Sequence, residues 1–363
     1  MSAAGTFRLV TEVSAAALEL ISLTTVEGAF AKRFMEFGVT SNGSLIRISP
    51  DDMSLDIINN QGKVTRSMKL DLSKIILPTA GEPFRNPKYK HFTIADDGTL
   101  YAPISWMSNR DTVNNGIVVF DKDGKYKRVL DMKDLVVGAL SVSSDRIYVS
   151  GAIYGKTNDH RVHELDMDGN VVKRHLPYPS SYSWIQKYQE SLQSKVSKGK
   201  NKGEFLHISR KNRDSNYEIR TRRNKNTTTN LKNARNYEEK ETHYNIEIPP
   251  SKELVNNFGL PVGGSVNIYK TVTLSDNKSI AQVHRSEYYV DPKQKKQVAT
   301  TRSFIDIFNV DGSQSERIIL NNDFGILVGA DKKDILYFVS VDRGPGHNEL
   351  GKNIYLRKMI LKQ

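Results

Sequence analysis

Hydrophobic and polar residues alternate along most of this chain in short runs that end at turn residues. Residues 117–130, "IVVFDKDGKYKRVL", contain an apolar run, a Lys-Asp-Gly corner and a second run in which polar and apolar residues alternate. Gly124 suits a backbone position with positive φ, and we expect Asp123 to hydrogen-bond the neighbouring backbone. This pattern predicts two antiparallel strands joined by a tight turn.

The same hairpin pattern recurs along the sequence. Similar runs occupy residues 55–70, 162–176 and 305–320. Each is preceded by a leading half, in which two strands flank a short turn rich in Asp, Asn, Ser or Gly, and a further leading half begins near residue 325. A unit of four antiparallel strands, here named a to d in chain order, is therefore repeated. Such a repeat predicts a β-propeller, and so an all-β fold.

The spacing of the units predicts six blades. Leading halves begin near residues 34, 92, 140, 268 and 325, and the interval from 140 to 268 has room for one more unit. We place the missing fourth blade at about 203–248, with strands in "GEFLHISR", "NYEIRTRR" and "HYNIEI", within an irregular region, 178–266, that also contains a basic insertion. Seven blades are the alternative if residues 178–266 contain two, although residues 182–198 have a pattern more typical of a helix.

The two ends of the chain predict how the last blade is completed. Residues 353–362, "NIYLRKMILK", are expected to be its strand c, and no strand d follows them. Residues 6–13, "TFRLVTEV", are a spare strand before the first unit, and we expect this strand to be the outer strand of the last blade. Such pairing removes an open sheet edge, which favours aggregation. Residues 1–363 are therefore predicted to form a single domain.

The architecture resembles the six-bladed β-propellers of the NHL and TolB-like kind. The resemblance covers essentially the whole chain, but the sequence has no Trp-Asp repeat dipeptide, Tyr-Trp-Thr-Asp motif or sialidase-type Asp box that identifies a particular family. Propellers include enzymes, ligand-binding proteins and scaffolds, so the fold does not select a function. Many bacterial propellers that this chain resembles are exported, which favours an exported or periplasmic location over a cytoplasmic one.

The amino-acid composition limits the kinds of site and partner that this protein can have. The chain has no cysteine, which excludes disulfides, thiolate zinc sites and cysteine nucleophiles. The net charge of +12 favours encounters with anionic partners. No run approaches the roughly 18 apolar residues of a membrane span. Residues 13–31 end in Ala-Phe-Ala, a pattern of signal-peptide cleavage, but Glu12 and Glu19 favour a strand followed by a connecting segment.

Loop length predicts where binding occurs. The a–b and c–d turns are short, whereas the b–c loops and the connections between blades are long and irregular. Long loops on a rigid scaffold are the usual location of binding residues, so we expect a macromolecular partner at the b–c end of the blades. A protein is the first expectation, and a glycan or small ligand the second. The long segments are 71–91, 106–115, 154–160, 177–202, 249–267, 285–301 and 342–352. The candidate contacts, chosen because Tyr, Trp and Arg favour hot spots, are Trp106, Arg110, Tyr154, His160, Tyr288, Tyr289, Arg343 and His347.

Catalytic and metal-binding patterns are weak. The Asp-x-Asp-Gly groups at 121–124 and 166–169 do not have EF-hand spacing and are predicted to be turns. His160 and His163 are expected to point to opposite faces of a strand. The sequence has no Gly-x-Ser-x-Gly elbow and no Walker phosphate loop. We therefore expect a non-enzymatic scaffold with no metal and no cofactor. A hydrolase or lyase with a metal at the central channel is the alternative, because distant blades can bring carboxylates together.

A basic segment gives a second alternative. Residues 195–241 contain 14 Lys or Arg and 6 Asp or Glu, a balance of +8. A nucleic-acid-binding propeller would use such cations on phosphates, with Arg220, Arg222, Arg223 and Lys225 as the candidate contacts. The simpler interpretation is a solvated insertion, since residues 220–236 have almost no apolar side chains that would order them.

Overall fold

The computed structural model describes residues 12–14, 18–26, 36–49, 54–70, 88–89, 92–107, 113–199, 204–210, 216–224, 239–320, 324–343 and 350–362. Within these ranges the elements are β-strands and two short helices, and the strands form six sheets. The fold is a six-bladed β-propeller, as the sequence repeat predicts. The blades belong to two compact units, one with blades 6, 1, 2 and 3 and the other with blades 4 and 5.

The first unit contains four blades. The first two described strands, β1 (Glu12–Ser14) and β2 (Leu18–Val26), belong to later blades. Blade 1 consists of β3 (Glu36–Val39), β4 (Leu45–Ser49), β5 (Ser54–Ile58) and β6 (Val64–Lys69). Blade 2 has a divided inner strand, and its strands are β7 (Lys88–Tyr89), β8 (Thr93–Ile94), β9 (Leu100–Met107), β10 (Val113–Phe120) and β11 (Tyr126–Lys133). Blade 3 consists of β12 (Leu135–Val142), β13 (Ile147–Ile153), β14 (His160–Leu165) and β15 (Val171–Pro177), and α1 (Trp184–Gln193) follows it.

The second unit contains blades 4 and 5. Blade 4 consists of β16 (Lys195–Lys198), β17 (Phe205–Arg210), β18 (Asn216–Asn224) and β19 (Glu239–Glu247). After α2 (Lys252–Phe258), blade 5 consists of β20 (Gly263–Thr273), β21 (Ser279–Val290), β22 (Gln297–Phe308) and β23 (Gln314–Leu320). The chain then returns to the first unit for blade 6, with β24 (Ile326–Ala330), β25 (Leu336–Arg343) and β26 (Leu350–Leu361).

The hydrophobic cores lie between neighbouring blades. Alternation along each strand directs apolar side chains to the adjacent sheet, so that Ile46 and Leu55 of blade 1 pack with Leu100 and Val118 of blade 2. A second cluster joins blades 2 and 3 in the same unit. In the other unit, blades 4 and 5 share a third cluster that includes Phe304. Each interface is a face-to-face packing of two sheets, which the period-two pattern of the sequence predicts.

The c–d turns share one construction. In blade 2 the Asp121 carboxylate accepts hydrogen bonds from the backbone N–H groups of Asp123 and Lys125, both at 2.9 Å. Gly124 takes φ 75° and donates its N–H to the Asp121 carbonyl at 2.9 Å. Asn59 in blade 1 and Asp166 in blade 3 accept the same pair of backbone bonds. These segments are turns, and a short polar side chain at the first position stabilises each one.

The expectation that Asp123 hydrogen-bonds the backbone is wrong. The carboxylate two residues earlier takes that role, because it lies at the start of the turn, where the free N–H groups converge. Asp123 instead pairs with Arg66, on the outer strand of blade 1, at 2.6 Å. Arg128 of blade 2 pairs with Asp168 of blade 3 at 2.7 Å in the equivalent position. The second acidic residue of the turn therefore links neighbouring blades.

The N-terminal strand that completes the last blade is not the predicted one. The outer strand of blade 6 is β2, which pairs antiparallel with β26 from Leu18 opposite Leu361 to Val26 opposite Ile354. Closure by an N-terminal strand is thus confirmed, but residues 6–13 are not that strand. Residues 12–13 lie in β1, parallel to β23 of blade 5, and residues 6–11 lie outside the described residues. The strand that immediately precedes blade 1 takes the outer position, as a strand d does before each following blade.

Two predicted irregular regions contain more regular structure than expected. The fourth blade is confirmed, and the segment 182–198 contains both the predicted helix, α1, and the inner strand β16. Residues 285–301, predicted to be a loop, mostly extend β21 and β22, with a turn at 291–296. Buried Arg285, Glu287 and Tyr289 alternate with more exposed neighbours there, which is a strand pattern formed largely by polar residues. In the described part of the chain, neither helix has the length and apolar character needed to cross a membrane.

Candidate functional site

Blade 3 carries an exposed group of large side chains at its b–c end. Tyr154, in the loop after β13, is 67% exposed, and Ile185 in α1 is 63% exposed. The ring of Trp184 lies between those of Tyr154 and Tyr188, with centroid distances of 5.0 Å and 5.8 Å respectively. We call Tyr154, Trp184, Ile185 and Tyr188 the blade 3 aromatic surface. Large apolar groups held at a protein surface are typical of binding sites.

Local sequence explains why a helix forms here. Ser183 and Gln186 form a capping box, in which the Gln186 N–H donates to the Ser183 hydroxyl at 3.3 Å and the Ser183 N–H donates to the Gln186 side chain at 2.8 Å. Lys187 and Ser191, four residues apart, are buried on the inner side of the helix. Gly138 on β12 permits close approach, because a Cβ atom there would lie 1.9 Å from the Ser191 carbonyl oxygen.

Buried polar contacts hold α1 against the loop of blade 3. The Lys187 ammonium is buried and donates to the backbone carbonyls of Lys156, at 2.9 Å, and Thr157. Arg161 on β14 donates to Glu190 of the helix at 2.6 Å and to the Pro177 carbonyl at 2.6 Å. These contacts join the loop, the end of β15 and the helix into one body. The aromatic surface is therefore preorganised, which lowers the entropic cost of binding.

A small cluster of titratable groups lies at the start of β14. The Asp159 carboxylate accepts hydrogen bonds from the N–H groups of Ile153, at 2.5 Å, and His160, at 2.7 Å, which fixes the base of the loop. Burial raises the pKa of Asp159 and lowers the pKa of His160. His163 is completely buried, and burial lowers its pKa to about 3. This ring is therefore neutral near pH 7.

The predicted contact residues are distributed among several blades. Tyr154 belongs to the blade 3 aromatic surface, and His160 is the first residue of β14, directly after the loop that contains Tyr154. Tyr288 is 38% exposed on β21, whereas its neighbour Tyr289 is completely buried. Trp106 lies on β9 opposite Asn114, and Arg343 lies on β25 opposite Leu350. Arg110 and His347 lie outside the described residues.

Of the four candidate phosphate contacts in the basic segment, the structure describes the side chain of Arg220, which is held within the sheet. Arg220 is buried and donates to Ser209 at 2.9 Å and to Glu218. Arg222 and Arg223 lie on β18, opposite Glu241 and Lys240 of β19, so this part of the segment is a strand rather than an unordered insertion. Lys225 lies outside the described residues. A buried ion pair within the sheet is a structural role for Arg220.

The described residues do not form a recognisable metal-binding site. Among the described residues, no group of three or more His, Asp or Glu side chains is placed to hold a metal ion. His160 and His163 lie three residues apart on β14, and the nearest carboxylate oxygen to His163, on Asp159, is 3.6 Å from Nε2.

Sequence reasoning missed three of the four residues of the aromatic surface. Trp184, Ile185 and Tyr188 lie in the segment "SYSWIQKYQ", where only helical character was expected. Two signals were present: the Ser-x-x-Gln capping box and the aromatic pair four residues apart. What the sequence does not contain is the position of this helix beside Tyr154, since Tyr154 is separated from it by two strands.

Comparison with known proteins gives similarity of fold only. No protein-family model matches the sequence, and no curated protein matches it. Solved structures with a similar fold include the PQQ-bound aldose sugar dehydrogenase of Streptomyces coelicolor, with 10% identity, a TM-score of 0.46 and coverage of 94% of this chain and 98% of that one. A protein of unknown function from Dyadobacter fermentans has 12% identity, a TM-score of 0.46 and coverage of 95% and 100%.

A third similar structure is the periplasmic gluconolactonase of Pseudomonas aeruginosa, with 11% identity, a TM-score of 0.34 and coverage of 94% of this chain and 97% of that one. Identities and TM-scores this low transfer no activity, ligand or location to this chain.

Proposed function

We propose that this protein is a non-enzymatic β-propeller that binds a protein partner through the blade 3 aromatic surface. The observation that carries the proposal is a rigid group of exposed aromatic and aliphatic side chains, with Tyr154 67% and Ile185 63% exposed. Tyr and Trp supply large contact area at a low entropic cost, and interface hot spots are enriched in them. The net charge of +12 favours an acidic partner by electrostatic steering.

Site-specific photocrosslinking tests this proposal. A photoreactive amino acid is introduced at Ile185, and the full-length protein is irradiated in cells that naturally produce it. The matched control is Val172, an aliphatic residue on β15 of the same blade that is 51% exposed but lies near the c–d turn. We expect one defined protein adduct from position 185 and none from position 172. Equal adducts at the two positions, or none at either, would contradict the proposal.

The crosslinked partner then allows a quantitative measurement. Truncation of Trp184 or Tyr154 to Ala is expected to weaken binding by roughly 10- to 100-fold, the range of hot-spot residues. Val172→Ala is expected to leave the dissociation constant unchanged. A glycan that binds at this surface while no protein does would assign the surface to carbohydrate recognition instead, and a glycan array on the same variants detects this.

The non-enzymatic part of the proposal has a separate test. Purified protein is analysed for metal content and assayed against a panel of esters, lactones and glycans. We expect no stoichiometric metal and no turnover. Turnover of any of these substrates together with stoichiometric metal would show that the protein is a propeller hydrolase or lyase and not a non-enzymatic scaffold.

A further inference from the structure

Blade 5 contains a buried charge cluster with more positive than negative charge. Arg285 and Glu287 lie on β21, and Arg302 lies directly opposite Arg285 on β22. The Glu287 side chain is completely buried, the Arg285 side chain is 5% exposed and the Arg302 side chain is 21% exposed. Two guanidinium groups thus accompany one carboxylate in a largely water-excluded place.

Both carboxylate oxygens of Glu287 already have partners. Its Oε1 atom lies 2.6 Å from Nε of Arg285 and 3.1 Å from Nη2 of Arg302. Its Oε2 atom accepts the Tyr289 hydroxyl at 2.9 Å and the backbone N–H of Ser251 at 3.2 Å. Both arginines therefore share a single oxygen atom, and neither forms the bidentate pair that a guanidinium prefers with a carboxylate.

Nη2 of Arg302 also donates to the Pro249 backbone carbonyl, but other donors of the two arginines have no acceptor. Nη1 of Arg285 and Nε of Arg302 are buried and have no hydrogen-bond partner among the described residues, and Nε of Arg285 is paired with Glu287 by charge without hydrogen-bond geometry. Burial accordingly lowers the pKa of Arg285. A buried guanidinium donor without an acceptor is costly, and native proteins normally provide one. The acceptor missing here carries one negative charge if the cluster is to be neutral.

Another network in the same blade shows what a complete pairing looks like. Asp306 on β22 accepts Nε of Arg317 at 2.7 Å and Nη2 at 3.0 Å, and the third nitrogen, Nη1, donates to the Glu247 carbonyl at 3.0 Å. That network has one guanidinium for one carboxylate, and each of its three nitrogens is bonded. The cluster at Glu287, on β21 and β22, has two guanidinium groups for one carboxylate, so a second anion is needed for the same balance.

We infer that Arg285 and Arg302 form a binding site for a carboxylate group supplied by a ligand. A carboxylate fits because it is a planar monoanion whose two oxygens match guanidinium donors, and one such charge neutralises the cluster. Arg302 is the partly exposed residue of the cluster. The ligand carboxylate therefore reaches the buried Arg285 from the side on which Arg302 lies. The source is either a free organic acid or the carboxylate of a peptide. The site lies in blade 5 and does not depend on the partner proposed for blade 3.

The test uses the full-length protein and three probes: acetate, a short peptide with a free C-terminal carboxylate, and the same peptide as its C-terminal amide. Melting temperature is measured against probe concentration, with sodium chloride keeping the ionic strength constant. We expect a saturable rise of a few degrees with acetate or the free peptide, because a ligand that binds only the folded state stabilises it, and no rise with the amide. A response to the free peptide alone assigns the site to peptides, and a response to acetate shows that a free acid suffices.

Variants connect the effect to the cluster. Arg302→Gln should abolish the rise, whereas Arg128→Gln, which removes the same charge from an exposed ion pair, should retain it. If Arg302→Gln does not fold, saturation-transfer NMR on the parent protein, observing the acetate methyl group, supplies the measurement. The inference is overturned if no carboxylate probe gives a saturable effect by either method, if Arg302→Gln responds like the parent, or if inorganic phosphate binds and carboxylates do not.

Discussion

The two ends of the blade strands differ in how strictly the sequence repeats. At the c–d end, blades 1, 2 and 3 use one turn, in which an Asp or Asn side chain accepts two backbone N–H groups and a glycine with positive φ follows. At the b–c end, blade 3 has a loop covered by a helix, and blade 5 has a long hairpin with a cluster of arginines. The repeated end satisfies its own polar groups, whereas both sites that we propose lie on elements of the variable end.

Substitution in the buried Asp306–Arg317 network, near the c–d end of blade 5, should have the largest effect on stability. Asp306→Ala leaves the buried Arg317 guanidinium without its carboxylate, and we expect a loss of about 3–5 kcal/mol in the free energy of unfolding, measured by urea denaturation. Asp123→Ala is the control, since its side chain in the pair with Arg66 is 46% exposed and we expect a loss of about 0–1 kcal/mol. Similar losses in the two variants would contradict the distinction between buried and exposed pairs.

Blade 3 should make stability depend on pH. His163 has a folded-state pKa of about 3 against an ordinary value of 6.5, because burial disfavours its charged form. Below pH 6.5 the unfolded chain takes up a proton that the folded protein does not, so stability falls as the pH is lowered from about 6.5 towards 3. The slope from this one group approaches about 1.4 kcal/mol per pH unit. Urea midpoints between pH 7 and pH 4 should fall less steeply for His163→Gln than for the parent, and parallel curves would exclude this contribution.

Substitution of Lys187, which holds the helix of the aromatic surface against the blade 3 loop, should have a smaller effect on stability. Lys187→Met removes the ammonium that binds the carbonyls of Lys156 and Thr157, and we expect a loss of about 1–3 kcal/mol. The emission spectrum of Trp184, one of two tryptophans in the chain, should change as the loop and helix loosen. Lys122→Met, at an exposed position of a c–d turn, should alter neither property. An unchanged spectrum in Lys187→Met would show that the surface does not need this anchor.

The smallest expected effect on stability comes from a substitution in a single c–d turn. Asp121→Ala removes the acceptor of two backbone N–H groups at the c–d turn of blade 2, and we expect a loss of about 0.5–1.5 kcal/mol. Asp168→Ala provides the comparison, since this second acidic residue of the blade 3 turn links blades through an exposed pair and should matter less. A larger loss in Asp168→Ala would mean that the link between blades, rather than the turn itself, is the important contact.

Much of the architecture was predictable because it depends on local chemistry. Alternation gives strands, and a polar residue followed three positions later by glycine gives the turn, so the hairpin of residues 117–130 and its copies were identifiable one at a time. The strand at β21 was harder, because its buried face consists of Arg285, Glu287 and Tyr289 rather than apolar residues. Hydrophobic periodicity does not detect a strand whose buried face is polar.

The sequence by itself determined the repeat and the c–d turns of blades 1, 2 and 3, and it favoured six blades over seven. Only the tertiary structure decided which N-terminal strand completes blade 6, since β1 and β2 both have strand character and pairing partners select between them. It likewise brought Tyr154 beside Trp184 and placed two arginines on one oxygen of Glu287. Turns form between residues that are neighbours in the sequence. Binding sites form where strands that are distant in the sequence come together, and the periodicity of hydrophobic residues does not show which strands those are.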